Sequence, residues 1–148
     1  MEQVIANFVR ENWSKLGLFL YFFPEGLGAG DATAIDRRGE VVGIEFEGIP
    51  YNYFAHGRHE NPKYRRVRYV FCHVISDEYD KRWADRIREL GKKVMSLEDL
   101  KKRIAKGYNE PPPEVQKRAK EALENAIGEC FRTWFPSFKL KEVKVKIE

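Results

Sequence analysis

The sequence predicts an α/β domain built on a mixed sheet of four or five strands flanked by helices. Three observations predict it. Residues 69–75 form a nearly continuous apolar run, the mark of a strand covered on both faces. Two short strands flank the tight turn Asp36-Arg-Arg-Gly39, which reads as a hairpin. Beyond residue 69, strand and helix periodicities alternate, as in a sheet with helices on both faces.

Each element has a local reason. Residues 3–16 form an amphipathic helix, with Ile5, Phe8, Val9 and Leu16 on one face. Asn12 interrupts that stripe and needs a hydrogen-bond partner. Gly17 ends the helix, and 18–23 reads as a strand. The glycine-rich stretch 24–30 lacks the Gly-Lys-Ser/Thr of a phosphate loop. The hairpin strands are 31–35 and 41–47, broken by Gly48 and Pro50. A short helix over 51–56 and a basic loop follow. Ser76 and Asp77 cap a helix to residue 90, with Tyr79, Trp83, Ile87 and Leu90 inward. A short strand at 93–95 leads to Ser96, which caps a helix to residue 106 with Asp99 completing a capping box. A stiff proline connector precedes a long helix over 114–135. Val115, Ala119, Leu123, Ala126, Ile127, Cys130, Phe131 and Trp134 share one face of it. Residues 139–148 alternate Val143, Val145 and Ile147 with lysines, as in an edge strand. The domain reading is a single unit over 1–148, with 111–148 as a C-terminal helix-strand extension.

Composition narrows the class. The 148 residues are 43% hydrophobic and 14% aromatic, which excludes a disordered chain. Two cysteines are too few to staple a secreted domain, and Cys72 and Cys130 read as buried small hydrophobes. The first residues lack the apolar stretch of a leader peptide, and no run is long enough to span a bilayer. The expectation is a cytoplasmic protein without membrane contact. Charged residues at 34% and only two glutamines hint at a thermophile source.

The net charge of +4 hides an asymmetry. Residues 1–50 hold 4 Lys/Arg against 8 Asp/Glu, while the remainder holds 23 against 15. A basic body with a local acidic cluster suits a protein that binds a polyanion and holds a cation.

The acidic cluster is Asp31, Glu45 and Glu47. Glu45 and Glu47 lie two apart on one strand and share a face. Asp31 opens the neighbouring hairpin strand and can approach them. Carboxylates converging on a buried sheet are costly without a cation, and oxygen donors of this kind suit Mg²⁺ or Mn²⁺. The competing reading is an exposed hairpin face on which Glu45 and Glu47 pair with Arg37 or Arg38.

A helix, a hairpin carrying Asp and then Glu-x-(residue), a further helix and a buried strand resemble the PD-(D/E)XK nuclease superfamily. The resemblance covers roughly residues 3–100. It implies a restriction-endonuclease-like fold and divalent-metal-dependent hydrolysis of DNA phosphodiester bonds, with RNA as the other substrate. By that resemblance Asp31 and Glu45 bind metal, and the Phe46 carbonyl adds a ligand. Glu47 occupies the place of the family's lysine, and Gly30 that of its usual proline. Glu47 is then a further ligand or a group that orients water, with Arg58 or Lys63 as basic substitutes. Many such nucleases act as homodimers, though the sequence marks no interface.

Two further groups flank the acidic strand. His56, Arg58 and His59 could support a phosphate, with His56 as an acid. His56, His59, Cys72 and His73 lack the spacing of a zinc signature. Arg58, His59, Lys63, Arg65, Arg66 and Arg68 form a basic stretch suited to nucleic-acid backbone contacts. Two other functions remain open on the sequence: an inactive nucleic-acid-binding module of the same fold, and a plain interaction protein with a salt-bridged acidic face.

Overall fold

The computed structural model describes residues 2–16, 18, 20–22, 30–36, 38–107, 113–137 and 139–144. Five strands form one mixed sheet in sequence order: β1 (Leu20–Phe22), β2 (Ala32–Ile35), β3 (Val41–Glu47), β4 (Val67–Cys72) and β5 (Lys93–Ser96). β1, β2 and β3 pair antiparallel, as the hairpin signals predict. β3, β4 and β5 pair parallel. The parallel half needs crossovers, and helices supply them. α2 (Tyr51–Ala55) lies between β3 and β4, and α3 (Glu78–Glu89) between β4 and β5.

Register sorts the side chains onto two faces. Ile44 pairs with Tyr69 and Phe46 with Phe71, while Glu45 pairs with Val70 and Glu47 with Cys72. Val42, Ile44, Phe46 and Phe71 form a core with Ile5 and Val9 of α1 (Glu2–Asn12) and Leu100 of α4 (Leu97–Ala105). The opposite face joins Val70, Cys72 and Val94 to Tyr53, Ala84 and Ile87. Glu45 and Glu47 share that second face by strand parity. A register shift at Gly43/Ile44 leaves Arg68 as an extra, exposed residue of β4 between Val67 and Tyr69.

Capping follows the sequence closely. The Asp77 side chain accepts the Asp80 N–H at 2.8 Å and opens α3. Ser96 and Asp99 form the expected capping box at α4. α5 (Pro113–Trp134) packs against β2 and β3. Cys72 is buried, as expected; the side chain of Cys130 lies outside the described residues. Among the described residues no helix is long and apolar enough to cross a membrane.

Several expectations need correction. The first helix ends at Asn12 and continues as a 3₁₀ turn over Trp13–Leu16. Asn12 donates to the Phe8 carbonyl at 2.9 Å, so its polar group is satisfied within its own helix. β4 starts and stops earlier than the apolar run, although the His73 and Val74 N–H groups still donate to the Glu47 and Gly48 carbonyls. Residues 139–144 form no strand, and 145–148 lie outside the described residues. Alternation there gives a suitable face but not a sheet edge to pair with.

The inward face of α3 is also shifted. Asp80, Ala84 and Ile87 are buried, whereas Tyr79 and Leu90 are about half exposed. Small Ala84 lets the helix lie close to the sheet, and Asp80 can be buried because it accepts the Ser76 N–H and hydroxyl. In α5, Ala119 and Ala126 are buried while Ile127 and Trp134 are exposed, so only part of its apolar stripe faces the body.

Candidate carboxylate site

β3 delivers the site. Its alternation sends Val42, Ile44 and Phe46 into one core and Glu45 and Glu47 to the other face. Glu45 is 1% and Glu47 0% exposed, so the exposed-hairpin reading fails. Arg38 does not neutralise them: it lines a cleft on the opposite face, with Tyr69, Phe71 and Leu100. Arg37 lies outside the described residues.

Asp31 enters beside them. Its N–H donates to the Ile44 carbonyl at 2.9 Å, and its Oδ2 accepts the Phe46 N–H at 2.9 Å. These two bonds clamp Asp31 across β3, with its carboxylate charge felt by Glu45. Gly30 makes this approach possible. Its φ is +114°, and a Cβ there would lie 2.7 Å from the Ile44 carbonyl oxygen and 3.2 Å from Glu45 Oε2. Proline, held near φ −65°, could not take this conformation.

The cation against the two glutamates is Arg58. Its Nε lies 2.8 Å from Glu45 Oε1 and 3.5 Å from Glu47 Oε1. Its guanidinium also stands 4.9 Å from the Tyr64 ring centre and meets the Tyr64 hydroxyl through Nη1. His56 Nδ1 is 3.5 Å from Glu47 Oε2, with the imidazole 46% exposed. Tyr53 is fully buried on the same side, and its hydroxyl has no hydrogen-bond partner among the described residues. Sequence reasoning missed Tyr53. The only signal for it was an aromatic at the centre of a short helix that directly follows an acidic strand.

Electrostatics favour protons on the pair. Burial, with the charge of Asp31 next, pushes Glu45 up to about 8 against the pull of Arg58. Burial likewise raises Glu47 to about 7, opposed first by His56. The close Arg58 contact favours an ionised Glu45 and burial favours a neutral one; burial wins. Tyr53 is pushed up to about 12 by burial and then by the two glutamates. Burial alone would lower Arg58, yet its acidic neighbours carry it upward.

All four carboxylate oxygens of Glu45 and Glu47 are buried, and among the described residues three of them meet only the Arg58 and His56 side chains as ion-pair partners. Buried carboxylate oxygens that share one guanidinium fit a hard cation such as Mg²⁺ or Mn²⁺ in donor type and charge. Asp31, Glu45 and Glu47 do not close around one point: among the described residues no three His, Cys, Asp or Glu side chains form a ready metal group. That also removes the zinc set of His56, His59, Cys72 and His73 as a formed centre. Cys72 is buried in β4, where desolvation pushes its thiol pKa far up.

The basic stretch divides. Arg58 turns into the site, and His59 packs against Phe54 with ring centres 4.9 Å apart and planes tilted by 53°. Arg65, Arg66 and Arg68 lie instead with Gly39, Glu40 and Val41 at the start of β3, lining a cleft of about 500 Å³ against α5. They are thus at the other end of the strand from Glu47. The side chain of Lys63 lies outside the described residues. No family model matches the chain, and neither does any curated protein or solved structure.

Proposed function

We propose that this chain is a divalent-cation-dependent hydrolase of nucleic-acid phosphodiester bonds, with DNA as the first substrate to test. One observation carries the reading: two glutamates are buried side by side against one shared guanidinium and a half-exposed imidazole. One guanidinium shared by two buried carboxylates leaves the pair short of positive charge, which a bound cation would supply. Glu45 and Glu47, with Asp31 drawn in beside them, are the residues that would hold Mg²⁺ or Mn²⁺. A bound ion of this kind supplies an activated water and neutralises charge on a phosphate.

The chain's own groups have separate tasks. His56 contacts Glu47 and reaches solvent, so it can carry a proton between the buried carboxylate and a leaving oxygen. Arg58 balances the glutamates and can orient a phosphate with its remaining N–H groups. Asp31, clamped by backbone bonds on both sides, fixes the position of Glu45.

The alternative, a nucleic-acid-binding module without catalysis, is favoured by Arg58. Its guanidinium already occupies the space between the glutamates. Nicking of supercoiled and branched DNA with Mg²⁺ or Mn²⁺, wild type beside Glu45→Ala, separates the two. The hydrolase predicts metal-dependent nicking that Glu45→Ala abolishes. Equal, metal-independent background in both proteins ends the hydrolase reading.

A further inference from the structure

We propose that the cleft between the 3₁₀ turn at Leu16 and α4, on the face of the sheet away from Glu45 and Glu47, binds a small organic phosphate: a phosphate monoester carried on a compact apolar body. The cleft shares no residue with the carboxylate site, so this proposal does not depend on the hydrolase reading.

The floor of the cleft is apolar. Tyr69 and Phe71 of β4 have ring centres 5.7 Å apart, and Met95 of β5 pairs with Phe71 across the sheet. Leu16 and Leu100 close the sides. Phe71 and Leu100 are buried, while Tyr69 and Met95 stay partly exposed at the floor. The cavity holds about 400 Å³, the size of a small-molecule site.

The rim is cationic. Arg38 comes from the hairpin turn, Arg68 from β4, Lys93 from β5 and Arg103 from α4. All four are exposed, and among the described residues none of them is ion-paired. Two of them lean over the floor. Lys93 Nζ stands 5.7 Å from the Tyr69 ring centre, and Arg103 Nη1 reaches Met95 Sδ at 3.7 Å. Arg68 owes its place to the register shift at Gly43/Ile44, which makes it the extra residue between Val67 and Tyr69. Two acids, Asp36 and Glu40, also line the cleft. Asp36 is already engaged: its Oδ1 accepts the Arg38 and Glu40 N–H groups at 2.8 and 3.0 Å. Four cations against two carboxylates leave an excess of two positive charges.

Floor and rim together select the ligand. A neutral apolar molecule would leave the cations without a counter-charge. A bare anion would leave the floor unused, and a monocarboxylate would offset only half of the excess. A phosphate monoester carries roughly two negative charges near pH 7, and its oxygens match the paired N–H groups of arginine.

The test is calorimetric titration of the full chain, in buffer free of divalent metal, with adenosine monophosphate, hexyl phosphate, inorganic phosphate and adenosine. At least one ester should bind about tenfold or more tightly than inorganic phosphate, the gain from burying about 60 Å² of apolar surface. The tighter ester identifies the body as a base or as an alkyl chain. Adenosine, which lacks the phosphate, should show no binding. Arg68→Met and Arg103→Met should each weaken the tighter ester by about tenfold, the cost of one charge-assisted hydrogen bond. Both side chains are exposed, so neither change should disturb the fold. Arg65 lines the cleft against α5 and not this one, so Arg65→Met should bind as wild type. Esters no tighter than inorganic phosphate, adenosine as tight as its phosphate, or unchanged affinity in Arg68→Met and Arg103→Met overturns the proposal. So does an equal loss in Arg65→Met, which would move the anion to the other cleft. Binding of an oligothymidylate but of neither ester would make the rim a contact for a polymer backbone and also overturn it.

Discussion

Arg58 Nε rests 2.8 Å from Glu45 Oε1, so a residue beyond the end of α2 neutralises a carboxylate buried in the middle of the sheet. The guanidinium is the only cation that the described residues bring within 3 Å of a glutamate of this pair. Arg58→Met should therefore cost about 3 kcal/mol, the low end for stripping one partner from a buried pair, because the guanidinium is a quarter exposed. Chemical denaturation at pH 8 measures it. Mg²⁺ or Mn²⁺ should restore part of the loss in this variant, by taking the place of the missing charge.

Stability should fall as pH rises. Glu45 is raised from 4.5 to about 8 and Glu47 to about 7, so the folded chain binds more protons than the unfolded one between those limits. More protons on the folded side means stability is full below about pH 4.5 and lost through pH 7–8. Glu45→Gln should flatten this dependence and raise the melting temperature at pH 8 by roughly 5 °C or more. A melting temperature that climbs between pH 5 and 8 in wild type would contradict the assignment.

Cation binding should run the other way. Only the ionised carboxylates are ligands, so Mn²⁺ affinity should strengthen from pH 6 to 8 as Glu47 and then Glu45 lose their protons. Glu47→Gln should weaken binding by about tenfold or more, as expected for losing a charged donor, and calorimetric titration reads it. Affinity independent of pH would mean that the metal sits elsewhere.

Tyr53→Phe removes a buried hydroxyl that has no partner among the described residues. Deleting an unsatisfied group should leave stability unchanged or raise it by about 1 kcal/mol. A loss of more than that would show that the hydroxyl is bonded in solution.

Gly30→Ala should be among the most damaging single changes near the site. The added methyl meets the Ile44 carbonyl oxygen at 2.7 Å in a backbone region that L residues avoid. A loss of about 2 kcal/mol or more is expected, from strain plus displacement of the Asp31 clamp. Thermal melting checks it.

Most of the sheet is legible in the amino-acid order. Apolar runs, the Asp36–Gly39 turn and the Asp77 and Ser96 caps are local features, and their elements form where local physics places them. Strand parity also put Glu45 and Glu47 on one face before any pairing was known. Tertiary structure decided what that face meets. Burial of the pair follows from α2 and α3 closing over it, and no local signal encodes the closure. The basic stretch reads as one unit in sequence, yet the chain turns between Arg58 and Arg65 and separates them along β3. Tyr79 and Trp83 have the spacing of core residues, but small Ala84 and buried Asp80 took the inward face, leaving Tyr79 half exposed and Trp83 half-buried. Periodicity identifies a stripe on a helix; only the neighbouring surfaces choose which stripe is buried.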